Sequence, residues 1–330
     1  MSDAAASSID PTGPGTQPLT LSVIICAYTL DRWDDIRRAV HSVRRQDPPP
    51  LEVILVSDRN DELLARAKAE MPEVVAVPNT LSPGLSGARN SGVAVARGEV
   101  VAFLDDDAAA EPGWARHLLD TYARGASVIG VAGSVRPDWR RPRPGWFPDE
   151  FLWVIGCSYR GLPTELSPVR NGIGANMSFR RSVFDEVGGF DANIGRFGAD
   201  AAGCEETEFS IRVRQANPDG VVLMEPLAVC LHSVGPERTE RAYFRRRCRA
   251  EGRSKALVSK LAGSDAALAS ERTYVRKVLP SGVLRGLGET LRGRPAGLAR
   301  SIAIVEGLAI TAVHYLVARI ADARRDRSGA

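Results

Sequence analysis

The sequence is poor in cysteine, and the cysteines that it has are scattered. Its five thiols lie far apart, with no Cys-x-x-Cys pair among them: Cys26, Cys157, Cys204, Cys230 and Cys248. Disulfide frameworks and structural zinc sites are built from cysteines at short, regular spacings. Their absence argues against both kinds of site and favours a protein that works in a reducing compartment.

Two glycine-rich signatures are also missing. Residues 19–28 are a nearly continuous apolar stretch that predicts a buried strand, yet no Gly-x-Gly-x-x-Gly follows it, which argues against a nicotinamide or flavin enzyme. No glycine-rich phosphate loop with a lysine follows the strand either, which argues against nucleotidyl transfer. The composition, 44% apolar and 25% charged, is that of an ordinary globular protein with a sizeable core.

The amino-terminal residues 1–18 have neither a basic start nor an apolar segment. They are rich in Ala, Ser, Pro, Gly and Thr, a composition that cannot bury much apolar surface. We expect a disordered leader here and no secretion signal.

The most informative stretch is an apolar run, residues 100–104, that ends in Asp105-Asp106-Asp107. The run predicts a buried strand whose carboxyl end emerges at the mouth of an α/β sheet. Three adjacent carboxylates repel one another, so a positive charge belongs there, and Mn²⁺ or Mg²⁺ prefers such oxygen ligands. Because side chains alternate in an extended tip, Asp105 and Asp107 should face one way and Asp106 the other. The alternative is a solvated acidic turn or helix start without a ligand.

Further segments predict side chains at the same edge of the sheet. Strands 19–28 and 51–56, with a helix between them, have the spacing of a βαβ unit, whose ligand site lies at the carboxyl ends of its strands. Tyr28 and Asp58 follow these strands, and a glycine-rich turn with Arg89 opens a later helix. Glycines permit close backbone approach and a helix start can hold an anion, so the turn predicts a phosphate contact.

Together these motifs resemble family 2 glycosyltransferases with the GT-A fold. The resemblance is carried, in order, by residues 22–28 (SVIICAY), 56–58 (VSD), 87–92 (GARNSG), 103–107 (FLDDD), 174–180 (GANMSFR), 187–191 (VGGFD) and 203–212 (GCEETEFSIR). It implies an α/β fold, a Rossmann-like mixed sheet of the GT-A type flanked by helices, with a C-terminal helical extension. It also implies a catalytic domain at 19–238, with a nucleotide-binding half (19–110) and an acceptor half (111–238), before a basic extension at 239–330.

The resemblance implies a site for a UDP-sugar and a divalent cation, Mn²⁺ or Mg²⁺. The donor-binding residues that it implies are Ala27, Tyr28, Asp58, Arg89, Asp105 and Asp106. Asp58 would accept a hydrogen bond from uracil, and Arg89 would reach the base or the phosphates. Asp107 would be the principal metal ligand, and His232 a further metal or phosphate ligand.

Each of these assignments has a structural alternative. Asp58 could instead cap the helix predicted from residue 61, Arg89 could be a surface arginine at a helix start, and His232 could be a buried structural histidine. The chain also departs from the family beside Asp58, where Arg59-Asn60 replaces the usual second Asp.

The resemblance places the general base on residues 205–208. Inverting family members use the second acid of a Glu-Asp pair, which here is Glu206, a Glu where Asp is usual. Because the Glu206 side chain is one methylene longer than that of Asp, Glu205 or Glu208 could act as the base instead. On a helix these two share a face by their i, i+3 spacing, and Glu206 points elsewhere. The structural alternative is an acidic helix start placed against the helix dipole.

An aromatic stretch, residues 138–161, holds three of the five tryptophans. Aromatic faces suit sugar rings or a lipid chain, so we expect acceptor binding by Trp153, with Asn171 and Asn176 nearby. The alternative is ordinary core packing by a long insertion.

The carboxyl-terminal part is basic, since residues 241–330 hold 19 of the 43 basic residues and 7 of the 40 acidic ones. Its uncharged apolar portion, 307–318, is shorter than the roughly 20 residues of a spanning helix. We therefore expect an interfacial helix that attaches the protein to an anionic membrane surface. The alternative is a helix docked on the domain or at a dimer contact. No nucleic acid is expected as a partner, because the tail has no helix-turn-helix, zinc spacing or aromatic β-platform.

The predicted function is metal-dependent, inverting transfer of a sugar from a UDP-sugar to an acceptor hydroxyl. The acceptor would be a glycan or a lipid-linked glycan in cell-surface polysaccharide synthesis. We expect a cytoplasmic enzyme, held peripherally on the inner face of the plasma membrane. The alternatives are a nucleotidyltransferase that acts on a sugar phosphate and an inert nucleotide-sugar-binding membrane scaffold.

Overall fold

The structure, a computed structural model, describes residues 18–192, 194, 203–263 and 271–328. Residues 1–17, nearly all of the predicted leader, lie outside the described residues. The described part of the chain forms one mixed β-sheet with helices on both faces, followed by a layer of three long helices.

The strands of the described residues are β1 (Leu21–Ala27), β2 (Glu52–Ser57), β3 (Val75–Pro78), β4 (Val100–Asp105), β5 (Ala108–Ala110), β6 (Val128–Trp139), β7 (Ser167–Pro168), β8 (Asn176–Arg180) and β9 (Val221–Val234). They form one sheet in the order β3-β2-β1-β4-β8-β6-β9-β5, and β7 pairs with β9. The first four strands are parallel, whereas β8 runs antiparallel to β4 and to β6. The sheet is therefore Rossmann-like in its first half and mixed in its second.

The helices of the described residues are α1 (Trp33–Arg44), α2 (Asp61–Glu70), α3 (Leu85–Val95), α4 (Trp114–Tyr122), α5 (Ser182–Val187), α6 (Glu205–Ala216), α7 (Arg241–Ala262), α8 (Leu279–Leu291) and α9 (Ala296–Ser328). A π-helical turn, Tyr274–Val278, leads directly into α8. Short 3-10 helices lie at Leu30–Arg32, Asp149–Ile155 and Pro236–Thr239.

The parallel strands β1, β2 and β4 are buried on both faces because their sequences are largely apolar, whereas the edge strand β3 is partly exposed. In β1, Val23 and Ile25 belong to the core cluster that also contains the apolar residues of α1, α2 and α4. Ile24 belongs to a second cluster with residues of α3, α5 and α6. The sheet thus separates two cores. The predicted fold class, an α/β mixed sheet flanked by helices with a C-terminal helical extension, is confirmed.

Helices α7, α8 and α9 pack closely on one another and on the domain. A Cβ atom added at Gly252 of α7 would lie 2.4 Å from the carbonyl oxygen of Thr311 in α9. One added at Gly307 of α9 would lie 2.4 Å from the ring of Phe151. Both positions require glycine for this approach. The basic extension is therefore joined to the domain through α9.

Helix α9 has one docked face and one exposed apolar face. Glu306 accepts hydrogen bonds from Arg241 and Arg245 of α7. The exposed face carries large apolar side chains: Ile302, Val305, Val313, Leu316, Val317 and Ile320. By length and composition alone, the segment Ala296–Arg324 is sufficient to cross a membrane. The sequence predicted a segment too short to cross a membrane, because only the uncharged residues after Glu306 were counted. Apolar residues in fact lie on both sides of Glu306, so the helical segment is longer.

Candidate active site

Three potential metal ligands converge at the mouth of the sheet. Strand β4 ends at Asp105, and β5 pairs with β9 so that Ala108 lies opposite His232. This pairing brings Nε2 of His232 to 3.1 Å from Oδ1 of Asp107 and to 3.9 Å from Oδ2 of Asp105. One ligand atom from each of the three lies within 4.8 Å of the others, so the group could hold a metal ion.

The chemistry of this donor set fits a divalent cation. Two carboxylates suit Mn²⁺ or Mg²⁺, and the imidazole favours a transition metal such as Mn²⁺. Burial disfavours the charged form of Asp107, but His232, and then Arg238 and Arg32, outweigh it and hold the pKa of that carboxyl well below its usual range. Asp107 is therefore ionised and able to act as a ligand.

Two arginines beside this group were missed by the sequence reasoning. Arg238 donates to Oδ2 of Asp107 at 3.0 Å, and Arg32 donates to Oδ1 of Asp106 at 3.1 Å. Burial, together with the charge of Asp107, raises the pKa of Asp106 to about 7. Arg32 ends the 3-10 helix directly before α1, and Arg238 lies in the 3-10 helix just beyond β9. Neither position belongs to a strand-end motif, so no sequence pattern pointed to them.

The predicted nucleoside residues lie at the ends of β1 and β2. Asp58 accepts hydrogen bonds from the backbone N–H of Gly84 at 2.9 Å and from Asn79 at 2.7 Å. It does not cap α2, because that role belongs to Asn60, whose side chain accepts from Leu63 N–H at 2.9 Å. Asp58 instead ties the glycine-rich turn to the sheet.

The other two nucleoside residues differ in exposure. Ala27 is buried, whereas the Tyr28 side chain is 56% exposed. The guanidinium of Arg32 lies over the Tyr28 ring, 5.7 Å from its centroid. Tyr28 is thus available to stack against a base.

Arg89 is a buried link between the two halves of the site and not a surface arginine. Its guanidinium donates to Glu205 at 2.7 Å and to the Gly174 carbonyl at 3.1 Å, and it lies 3.8 Å from Asp105. The rings of Phe103 and Phe190 flank it. Its predicted contact with the base or the phosphates stays a prediction.

The three glutamates at the start of α6 have different partners. Glu205 is paired with Arg89, and Glu208 forms two hydrogen bonds with Arg212, at 2.7 and 2.8 Å. Glu205 and Glu208 are buried on one face, as their spacing predicts, and Glu206 is half-buried. Burial, and then the charge of Glu205, raises the pKa of Glu206 to about 8. Among the three glutamates, Glu206 is the one whose carboxylate accepts no hydrogen bond from an arginine of the described residues.

The predicted acceptor residues are separated by the structure. Trp153 is half-buried, and its indole N–H donates to the Tyr274 hydroxyl at 3.2 Å. Asn176 is fully buried, and its amide is engaged by three partners: the carbonyls of Ser134 and Ala228 and the indole of Trp114. The acceptor role predicted for Asn176 is therefore corrected to a structural one. Other aromatic residues of the stretch, such as Phe147 and Phe151, belong to the core, as the packing alternative predicted.

A cavity of about 570 Å³ extends from Asp105 and His232, two of the three potential metal ligands, to the start of α6. On the domain side its walls include Asp105, His232, Glu205, Glu206 and Trp153. The C-terminal part of the wall comes from α7, the π-helical turn, the first residue of α8 and α9: Arg247, Glu251, Lys255, Tyr274, Val275, Leu279, Leu308, Thr311, Ala312, Tyr315 and Leu316. The C-terminal helices are therefore part of the site.

The chain was compared with known protein families and proteins. The family model described as Glycosyl transferase family 2 matches residues 22–188. The chain is 37% identical over 225 residues to a glucosyl-dolichyl phosphate glucuronosyltransferase of Haloferax volcanii, a match that covers 67% of this chain and 72% of that protein. It is 29% identical over 213 residues to polypeptide N-acetylgalactosaminyltransferase 10 of Homo sapiens, covering 58% of this chain and only 34% of that protein.

Two solved structures have a similar fold. One is the mannosyltransferase PcManGT from Pyrobaculum calidifontis in complex with GDP-Man and Mn²⁺, with a TM-score of 0.57 and 16% identity over 91% of this chain and 88% of that one. The other is GalNAc-T7 with UDP, GalNAc and Mn²⁺, with a TM-score of 0.52 and 17% identity over 80% of this chain and 57% of that one. At these identities the likeness shows the fold, which is the GT-A type predicted from the sequence.

Proposed function

The chain belongs to glycosyl transferase family 2, and from this we propose that it transfers a sugar from a UDP-sugar to an acceptor hydroxyl with inversion, in a metal-dependent reaction. The observation that carries the proposal is that Asp105 and His232, two of the three potential metal ligands, border the same cavity as Glu206. Such a reaction must offset the charge on the leaving diphosphate and remove a proton from the attacking hydroxyl, with both groups held around the anomeric carbon. Nothing in the described residues favours nucleotidyl transfer.

Asp105, Asp107 and His232 would hold the cation. A Mn²⁺ or Mg²⁺ ion bound there supplies positive charge against the leaving nucleoside diphosphate. Both similar solved structures were determined with Mn²⁺, which supports the choice of metal. One of them holds UDP and the other GDP-Man, so the choice of UDP rests on the sequence motifs.

Arg32 and Arg238 are assigned to the donor diphosphate. Each already donates to a carboxylate of the Asp triplet, so each lies at the place where the diphosphate must meet the metal ligands. The planar fork of a guanidinium matches phosphate oxygens well. Asp58 and Tyr28 would hold the uracil at the adjacent strand ends.

Glu206 is assigned as the general base. Its carboxylate takes the proton of the acceptor hydroxyl while the hydroxyl oxygen forms the new bond to the anomeric carbon. The bond from that carbon to the UDP oxygen breaks, and its electron pair leaves with UDP. Attack on the face opposite the leaving group inverts the anomeric configuration. Glu205 and Glu208 are less suited to this role, because Arg89 and Arg212 engage them.

We assign α9 to attachment on the cytoplasmic face of an anionic membrane. Its exposed apolar side chains, from Ile302 to Ile320, are preceded in sequence by Arg292, Arg294 and Arg300 and followed by Arg324, with Arg319 next to Ile320. This is the pattern of an interfacial helix with basic flanks. An acceptor in cell-surface or lipid-linked glycan synthesis would be found there, and the name of the Haloferax relative, which specifies a lipid-linked sugar, supports this.

The test is a thermal-shift screen of the purified protein against UDP-, GDP- and TDP-sugars, with and without Mn²⁺. A ligand at about 100 times its Kd stabilises a protein by about 2.7 kcal/mol. We expect one UDP-sugar to raise the Tm only with Mn²⁺ and to release UDP slowly on long incubation. A shift with only GDP- or TDP-sugars would mean that the donor carries a nucleotide other than UDP. No shift with any nucleotide sugar would refute the donor site.

A further inference from the structure

We propose that Glu205 binds the sugar of the donor: one oxygen of its carboxylate accepts a hydrogen bond from a hydroxyl of the sugar that is transferred. The inference rests on the proposed function and adds a residue that recognises the sugar itself, as distinct from the nucleotide. It follows from an unpaired oxygen, from the contacts that fix the carboxylate, and from the position of Glu205 between the potential metal ligands and the predicted base.

The carboxylate of Glu205 uses only one of its two oxygens. Oε1 accepts a hydrogen bond from Arg89 at 2.7 Å, whereas Oε2 is buried and has no hydrogen-bond partner in the part of the chain that the structure describes. The side chain is only 5% exposed. Buried polar atoms are nearly always hydrogen-bonded, because an unpaired one has lost its water without compensation. Since Glu205 lines the cavity, a donor group from a bound ligand is expected at Oε2.

One other carboxylate oxygen of the described residues is buried and unpaired, Oδ2 of Asp106. Asp106 lies beside Asp107, a potential metal ligand, and its place in the Asp triplet accounts for that oxygen. Glu205 is not among the potential metal ligands. Because Arg89 already supplies a positive charge to its carboxylate, a neutral donor such as a sugar hydroxyl is sufficient for Oε2.

Arg89 holds the Glu205 carboxylate in one position. The guanidinium is 2% exposed, and it also donates to the Gly174 carbonyl at 3.1 Å. A Cβ atom added at Gly174 would lie 2.8 Å from Nη2 of Arg89, so glycine permits this contact. The rings of Phe103 and Phe190 lie with their centroids 5.7 and 5.4 Å from the guanidinium carbon. A binding group that is fixed in advance loses little conformational entropy when a ligand binds.

The backbone before Glu205 also has an unusual conformation. Cys204 has a φ of 75°, in the left-handed region, and Arg59 is the only other non-glycine residue with a positive φ in the described ranges. This region is unfavourable for residues with a Cβ atom, and such positions are concentrated at functional sites. Helix α6 begins directly after Cys204, with Glu205 buried and Glu206 half-buried. The turn therefore sets two adjacent carboxylates in different surroundings.

Glu205 lies between the potential metal ligands and the predicted base. Arg89, which holds it, is 3.8 Å from Asp105, and Glu206 is the next residue in the chain. All four of these residues line the same cavity. The anomeric carbon has to lie between the leaving diphosphate at the metal ligands and the acceptor hydroxyl at the base. The transferred sugar therefore lies against Glu205, and its hydroxyls are the donor groups that can reach Oε2.

This contact makes Glu205 a residue that determines donor specificity. A carboxylate can only accept hydrogen bonds, so the sugar has to present an O–H or N–H group at this position. A site built to bond a hydroxyl strongly rejects an analogue without it, because the protein group is then left buried and unpaired. A pair of Arg89 and Glu205 with a purely structural role would not distinguish such analogues.

The experiment is titration calorimetry of the full chain, in the presence of Mn²⁺, with UDP, UDP-glucose and four UDP-glucose analogues that each lack one hydroxyl, at C2, C3, C4 or C6 of the glucose. We expect one analogue to bind at least about tenfold more weakly than UDP-glucose, because a charge-assisted hydrogen bond is lost. Equal binding of UDP-glucose and all four analogues would overturn the proposal. Binding of UDP without binding of UDP-glucose would also overturn it, because the site would then reject the hydroxyls assigned to Glu205.

Matched variants connect this loss to Glu205. In Glu205→Gln, the weakened analogue should bind about as well as UDP-glucose, since the accepting oxygen has been replaced, and UDP affinity should change little. Glu208→Gln is the control, because it changes another buried glutamate of α6, paired with Arg212, that does not line the cavity. It should keep the tenfold difference. The same difference in both variants would overturn the proposal.

A second variant covers the case in which Glu205→Gln does not fold. Glu205→Asp keeps the negative charge beside Arg89 but shortens the side chain by one methylene, so it should also reduce the difference between UDP-glucose and the weakened analogue. A full tenfold difference in Glu205→Asp would assign the hydroxyl to another residue.

The proposed function and this inference fail in different ways. Binding of UDP with Mn²⁺ tests the donor site without any sugar. If UDP binds and no sugar hydroxyl affects binding, the role of Glu205 is wrong and the transferase assignment stands. If neither UDP nor UDP-glucose binds, the donor site is wrong, and the inference about Glu205 is wrong with it.

Discussion

The carboxylates at the two ends of the site have opposite electrostatic surroundings. At the metal end, Asp107 faces His232 and Arg238, which hold its pKa well below the usual range in spite of burial. At the base end, burial and the neighbouring Glu205 raise the pKa of Glu206 to about 8, and Arg89 is engaged by Glu205. The difference fits the two roles that we propose. A metal ligand must stay ionised, whereas a base must be able to accept a proton.

The largest effect is expected from removing the carboxylate at the metal end. Asp107→Ala loses a ligand and leaves Arg238 and His232 facing each other, so we expect transfer to fall about a thousandfold or more. Mn²⁺ binding, measured by calorimetry without any donor, should be lost as well. Asp34→Ala, at a side chain that is 98% exposed, is the control and should behave as the unchanged protein. Full activity of Asp107→Ala with added Mn²⁺ would refute the metal assignment.

At the base end, Glu206→Gln should lower kcat about a hundredfold or more, because the acceptor hydroxyl loses its proton acceptor. The donor-induced thermal shift should be kept, since Glu206 does not hold the nucleotide. Steady-state kinetics together with the thermal shift separate these two outcomes. Retained activity in Glu206→Gln, with loss in Glu205→Gln, would move the base to Glu205.

The adjacent Glu205 provides the contrasting variant. Glu205→Gln removes the partner of the buried Arg89, and breaking such a pair costs about 3 kcal/mol or more of the free energy of unfolding. Glu206→Gln should cost little stability at pH 7, because the folded state already favours the protonated form of that carboxyl. Urea unfolding of both variants measures this difference. Equal losses would mean that the two glutamates have the same environment.

The pH dependence should follow Glu206. A base with a pKa of about 8 is active when deprotonated, so kcat/KM should rise with pH, reach a plateau above about pH 8 and be about a hundredfold lower at pH 6. The stability contribution has the opposite sign. It is fully present below the ordinary pKa of 4.5 and is lost as the pH rises to about 8, because the folded state keeps the proton longer than the unfolded chain. A rate profile that is flat between pH 6 and 8 would contradict the assignment.

The smallest effect is expected from the arginines at the metal end. Arg238→Ala should weaken UDP binding in the presence of Mn²⁺ about tenfold, because one charged hydrogen bond to phosphate is lost. Arg37→Ala, an arginine of α1 that is 61% exposed, is the matched control. Calorimetric titration with UDP measures both. Unchanged UDP affinity in Arg238→Ala would remove that residue from the donor site.

Local patterns predicted one part of the site well. The apolar run before Asp105 forms β4, and the i, i+3 spacing at the start of α6 correctly predicted that Glu205 and Glu208 share a buried face. The alternative role of Asp58, as the N-cap of α2, is wrong. Asn60, two residues later, caps this helix by accepting a hydrogen bond from the Leu63 N–H. Residue types alone do not show which of two nearby polar side chains caps a helix.

Long-range contacts account for what was missed. Asn176 looked like an acceptor residue, but its amide bonds to groups that lie 42, 52 and 62 residues away in sequence. The same holds for Arg238, which is 131 residues from its partner Asp107. Whether a polar side chain is available to a substrate depends on all of its hydrogen-bond partners, and those partners cannot be read from nearby sequence.

The sequence by itself determined which strands end in carboxylates and which faces of the helices are buried, because alternation and helical periodicity are local properties of the chain. Only the tertiary structure decided that His232 meets Asp107, since that contact depends on the register of β5 against β9. It also decided that α7 and α9 complete the wall of the cavity, since this depends on how closely Gly252 and Gly307 let the helices approach. The family motifs mark the predicted donor residues and the predicted base. The C-terminal wall of the cavity is made by packing between distant parts of the chain.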